Sequence, residues 1–215
     1  MYPDVLGSSG AFFITSLISL FVIVDPTGNV FSYLALSGGS ASPAARQLAW
    51  RAPLYAFLIL ALFIFTGRLI LKFFGISLPA MQIAGGLLLF RIAFDMLEAR
   101  GHFNRLDTAS SLVAADYRDI ALVPLAMPLL SGPGAIATVL VLSSRAQNTL
   151  EVALLLVALT AIMSITYLFF RFAEPLLRLL KENGLRLLTR LMGLILAALA
   201  VEFVLQGLKG AFPWP

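Results

Sequence analysis

The chain has 215 residues, of which 60% are hydrophobic and only 12% charged, with 17 phenylalanines and no cysteine. That composition excludes an ordinary soluble domain of this length, and the lack of cysteine excludes both a disulfide framework and a thiolate metal site. The net charge of +4 does not point to nucleic acid, because the basic residues stand singly at segment ends and form no basic patch with interleaved aromatics.

An all-α polytopic membrane protein with six spans is expected. Met1-Tyr2-Pro3-Asp4 carries no basic stretch of the kind that opens a cleaved secretory signal. The first span, 11–36, is long enough to cross a hydrocarbon core of roughly 30 Å at about 1.5 Å per residue. Asp25-Pro26-Thr27-Gly28-Asn29 interrupts it near the middle. Pro26 lacks an amide hydrogen and clashes with the preceding turn, and the residue before a proline disfavours the α region. Two half-helices, 12–24 and 29–36, joined by an unwound link are therefore predicted. Unwound backbone survives at membrane depth only where protein or a water-filled cavity satisfies it, and a carboxylate there is a functional candidate.

A polar turn, Ser37 to Pro43, leads to the second span at 52–71, and Phe74-Gly75 turns the chain into the third at 76–97. A polar connection, 98–118, carries the only histidine, His102, read as a solvated loop residue. The fourth span, 120–142, is interrupted by Pro124, Pro128 and Gly132-Pro133-Gly134, too many breakers for one continuous helix. The fifth span covers 152–172 and the sixth 187–208. Trp50 and Trp214 fall where an interfacial belt would put them. With the N-terminus outside, ten Lys and Arg lie on the inner side and four on the outer, which favours both termini outside.

The two halves, 11–97 and 119–208, resemble each other. Pro26 and Pro133, Gly86 and Gly193, and Asp95 and Glu202 are each 107 residues apart. Three spans per half make the duplication an inverted one, two three-helix repeats with the first span of each broken. Paired interrupted spans in inverted repeats point to a transporter's binding site.

Several stretches together are specific: Asp25 to Asn29, Phe74-Gly75-Ile76-Ser77-Leu78-Pro79, Ala84-Gly85-Gly86-Leu87-Leu88-Leu89-Phe90, and Pro124 to Gly134. In these the chain resembles the MarC family of membrane proteins, over nearly its whole length. The resemblance implies six spans, a bacterial inner-membrane location and, from some relatives, transport of small neutral amino acids such as glycine and alanine. The chain departs from that pattern at Phe31, where relatives often have proline, and at Arg91, where they are usually apolar.

The expected function is a secondary transporter of small neutral amino acids by alternating access, with one repeat rocking against the other. Thr27, Gly28, Asn29, Ser131, Gly132 and Gly134 are the candidate substrate-binding residues. Their short polar side chains and free amides suit a zwitterion, and the helix restarting after Pro133 offers amides to a carboxylate. Asp25 and Asn29 are the candidate coupling-ion residues, for a proton, because burial favours the neutral carboxyl, or for sodium. A second reading of Asp25 is a structural cap on the following half-helix. Gly85, Gly86 and Gly193 suit close helix packing, and Arg91 and Asp95, spaced i and i+4, suit an ion pair. Glu202 is a second protonatable group or one half of a pair.

No catalytic residues, cofactor, metal or nucleic-acid partner are expected. There is no His near a Ser and no His-Glu-x-x-His, and no phosphate loop for ATP. The expected partners are a neutral amino acid, a proton or sodium and the lipid bilayer, with a homo-oligomer left open. The alternative function is a channel or a non-transporting accessory membrane protein.

Overall fold

The computed structural model describes residues 3–37, 43–98 and 130–212, and every regular element among them is helical. The elements are α1 (Pro3–Val24), α2 (Pro26–Ser37), α3 (Pro43–Phe73), α4 (Leu78–Leu97), α5 (Pro133–Arg145), α6 (Thr149–Arg171) and α7 (Ala173–Ala211). Five stretches among the described residues are long and apolar enough to cross a membrane: Ser9–Val30, Ala45–Gly67, Leu78–Leu97, Thr149–Arg171 and Leu187–Ala211. Pro124 and Pro128 of the expected fourth span lie outside the described residues, as does the connection 99–118. The described remainder of that span is α5, whose 13 residues reach only about 20 Å at ~1.5 Å per residue.

Local chemistry sets the helix ends. Gly75 adopts φ 65, and there Ile76 N–H reaches Leu71 O at 2.9 Å while Gly75 N–H reaches Lys72 O at 3.2 Å. This pair of bonds satisfies the last carbonyls of α3 in a Schellman motif. Ser77 then caps α4, its hydroxyl accepting from Ala80 N–H at 3.3 Å. Asn148 caps α6 by accepting from Glu151 N–H at 2.9 Å, and Glu151 reaches back to Gln147 N–H at 2.7 Å. Hydroxyls within the apolar helices bond to carbonyls of the preceding turn, as Thr66 does to Leu62 O and Thr166 to Ile162 O.

Three expected boundaries shift. α2 begins at Pro26, not at 29, so the link between the first two helices is the single residue Asp25. The fixed φ of proline suits the first helical position. α3 starts at Pro43 and continues through Pro53. α7 starts at Ala173, well before 187, and runs 39 residues, about 58 Å at ~1.5 Å per residue, roughly twice a hydrocarbon core.

The helices pack chiefly on partners distant in sequence. α1 lies on α6, and α2 on α7 and α6; α5 lies on α3 and α4; α3 also meets α6, and α4 pairs with α7 along most of its length. Lipid is as apolar as leucine, so helix association in a membrane depends on close van der Waals fit at small residues. The α4–α7 pair shows this. A Cβ on Gly86 would stand 2.7 Å from Ala200 O and 3.1 Å from Val204 N. A Cβ on Gly193 would stand 3.2 Å from Ala93 O and 3.3 Å from Leu97 N. The two helices run antiparallel, since Gly207 meets Pro79 and Ile83 while Gly193 meets Met96.

Candidate functional site

The first break is built from its own side chains. Asp25 sits between α1 and α2 at φ 45, a left-handed conformation that Asp and Asn tolerate better than most residues. Its Oδ1 accepts from the Thr27 hydroxyl at 2.7 Å and from Gly28 N–H at 3.0 Å. Gly28 is the third residue of α2, so Asp25 is the N-cap of that helix, and a carboxylate there also faces the positive end of the helix dipole. Asn29 closes the gap from the other side, its amide donating to Val24 O at 2.7 Å. The backbone continues across as well, with Asp25 N–H on Phe21 O at 3.0 Å and Asn29 N–H on Asp25 O at 3.1 Å. Asp25, Thr27 and Asn29 are 6%, 7% and 5% exposed, so this polar knot is enclosed by protein. The capping reading of Asp25 is what these bonds describe; an ion-coupling role is a separate matter of chemistry.

The expected second break falls at the start of α5, and residues 120–129 of that span lie outside the described residues. Gly132 is the N-cap and makes no side-chain bond to the helix, and Pro133 takes the first helical position. Ser131, Gly132 and Gly134 are all buried. A Cβ on Gly134 would stand 2.9 Å from Leu89 Cδ2, 3.0 Å from Ile92 Cδ1 and 3.6 Å from Ile23 Cδ1. Gly134 thus lies where α5, α4 and the end of α1 converge, two residues along α1 from Asp25. Val24 and Val30, which flank the first break, share one apolar core with Leu130 and Ala135, which flank the second. The fold brings the Asp25 break and the start of α5 to one apolar core.

Other residues were less legible. Tyr33 of α2 stacks on Phe170 of α6, with centroids 4.7 Å apart and planes 6° apart, and its hydroxyl donates to Ala45 O at 3.0 Å. Nothing in the sequence marks that pairing, because aromatics are common throughout. Glu202 accepts from the Gln206 amide at 2.6 Å, one turn along α7. Gln206 in turn accepts from the Arg145 guanidinium, which also lies over the Phe203 ring at 5.7 Å. The i, i+4 spacing of Glu202 and Gln206 was a usable signal; the reach of Arg145 from α5 was not. Arg91 is exposed and Asp95 half-buried. No group of three His, Cys, Asp or Glu able to hold a metal occurs among the described residues.

A bundle of helices, five stretches of which are long and apolar enough to cross a membrane, defines a multi-pass integral membrane protein. The chain belongs to the MarC family: the model of the MarC family integral membrane proteins matches residues 10–212. It is 36% identical to the UPF0056 membrane protein YvbG of Bacillus subtilis over 94% of this chain and 97% of that one. It is 34% identical to the UPF0056 membrane protein YhcE of Escherichia coli over 91% of each chain. A UPF0056 membrane protein of Methanocaldococcus jannaschii is 39% identical over 93% of this chain and 97% of its own length. No solved structure matches.

Proposed function

We propose that this protein is a secondary transporter of small neutral amino acids, glycine- or alanine-like, working by alternating access with proton or sodium coupling. The observation that carries the reading is the Asp25 break and the start of α5, both flanked by residues of one core. A bilayer tolerates such irregular backbone only where protein or a cavity meets it, and transporters of this kind use half-helix ends to hold the charged ends of a solute. Amides of Gly132 and Gly134 would take the solute carboxylate, with Ser131 beside them. Thr27, Gly28 and Asn29 would complete the other side. Asp25 and Asn29 would hold the coupling ion, protonation of Asp25 exchanging with its cap bonds to Thr27 and Gly28.

The glycine contacts of α4 and α7 support an inverted repeat, and with it the same reading. Moving every residue of the Gly86 contact by 107 positions turns Ala93 into Ala200 and Leu97 into Val204. The Gly86 approach to Ala200 O and Val204 N thereby becomes the Gly193 approach to Ala93 O and Leu97 N. A two-fold axis in the membrane plane passing through the α4–α7 crossing accounts for both. On this reading the spans number six, the termini are outside and the membrane is the bacterial inner one.

Each half makes most of its helix contacts with the other, α1 and α2 with α6, α3 with α5 and α6, and α4 with α7 and α5, so one repeat rocking against the other would slide along these contacts.

The test is counterflow in proteoliposomes. Saturable exchange of radiolabelled glycine or alanine, dependent on pH or sodium, is expected. Unsaturable conductance would make the protein a channel, and no flux of either kind would leave the accessory role.

A further inference from the structure

We infer that the face of α1 carrying Ser9 and Ser16 lines the passage by which a small, water-soluble zwitterion reaches the two breaks. The inference rests on the transport reading and extends its site along α1.

Ser9, Ser16 and Ile23 recur every seventh residue, so they stack on one side of the helix. The lower end of that side is fixed by contact: Ile23 is the α1 residue that meets Gly134 in the second break. α1 packs against α5 as well as α6. The line of serines thus leads along α1 into the region where the interruptions converge.

The hydroxyls on this line behave unlike the threonines of the bundle. Thr66, Thr138, Thr160 and Thr166 each donate to a carbonyl four residues earlier, at 2.7 to 2.9 Å. That bond is open to any serine or threonine within a helix. Ser9 and Ser16 are 2% and 0% exposed, yet their hydroxyls have no hydrogen-bond partner. A buried hydroxyl without a partner is costly, about 1–3 kcal/mol, and asks for a polar group that completes it. Two such hydroxyls one above the other, about 10 Å apart at ~1.5 Å per residue, suit a file of water or a solute with donors and acceptors at both ends. They are ill suited to lipid or to an apolar ligand. When the passage opens along this line, the hydroxyls meet the solute.

The chain has no cysteine, so single replacements report without background. Ser16→Cys and Ser9→Cys are made in the full chain, reconstituted in liposomes and treated with a charged, membrane-impermeant methanethiosulfonate, with labelling followed by intact mass. Thr166→Cys, a buried and internally bonded position on α6, is the control. Because thiol reactivity follows exposure, labelling at 16 and 9 is expected to be at least about tenfold faster than at 166, and to slow with saturating alanine. Labelling of both only after denaturation, at the rate of the control, would overturn the inference. Ser16→Leu adds a reading that a packing role would reverse: in a passage it blocks uptake while the melting temperature holds, whereas in a tight interface it lowers the melting temperature. Labelling without any amino-acid uptake would keep the passage and remove the proposed substrate. Uptake without labelling would remove the passage alone.

Discussion

The amide of Asn29 donates to the carbonyl oxygen of Val24 at 2.7 Å, bridging the break in the first span. Replacing Asn29 by Ala leaves that carbonyl, buried at the end of α1, without its side-chain donor. The expected cost is about 1–3 kcal/mol, read as a lower melting temperature in detergent. An unchanged melting temperature would mean that other groups hold the break closed.

Asp25 separates the cap from the charge. Asp25→Asn keeps an oxygen for the Thr27 hydroxyl and Gly28 N–H, and Asn accepts positive φ. Folding is expected to persist while gradient-driven uptake loses its pH or sodium dependence and counterflow remains. Asp25→Ala removes the cap, worth about 1 kcal/mol, and puts an alanine at φ 45, so it should destabilise the protein more than Asp25→Asn. Fully coupled uptake in Asp25→Asn would confine this residue to capping.

The glycines of α4 and α7 should divide sharply from a glycine with space around it. A Cβ on Gly86 meets the Ala200 carbonyl at 2.7 Å, whereas one on Gly10 meets nothing within 4 Å. Gly86→Ala forces backbone apart and is expected to cost about 1–3 kcal/mol, as overpacking does. Gly10→Ala, within α1, should be neutral or stabilising by about 0.5–1 kcal/mol, since glycine is a poor helix interior residue. Thermal melts of the two variants side by side check the contrast.

Rocking of one half against the other predicts a link the protein does not tolerate. Gly85 on α4 has its Cβ position 3.0 Å from Ala137 Cβ on α5, so this pair joins opposite halves of the sequence. Cysteines there lie somewhat closer than the usual disulfide Cβ separation of about 3.5–4.5 Å, a difference that a small helix shift relieves. Oxidation is expected to slow counterflow and reductant to restore it. Counterflow unchanged by a formed cross-link would mean that the halves do not part at the α4–α5 contact.

The local features of this protein were legible from its residues. The apolar runs announced a membrane bundle, and Asp25-Pro26 and Gly132-Pro133 announced helix ends, because proline and its neighbours act through backbone sterics within a turn or so. Asp25 as a cap was readable too, since its partners Thr27 and Gly28 lie only two and three positions on.

What needed the tertiary structure was everything that depends on which apolar face meets which. α2 lies on α6 and α7, not chiefly on α3 beside it in the chain, and Arg145 reaches Gln206 and Phe203 across the bundle. Leu62 and Leu69 are largely exposed while Leu60 on the same helix is fully buried, yet all three are simply leucines in the sequence. In lipid an apolar side chain gains little by facing protein instead of acyl chains, so hydropathy sets the spans and not their partners. Close fit at small residues such as Gly86 and Gly193 chooses the partners, and that fit exists only once both helices are in place.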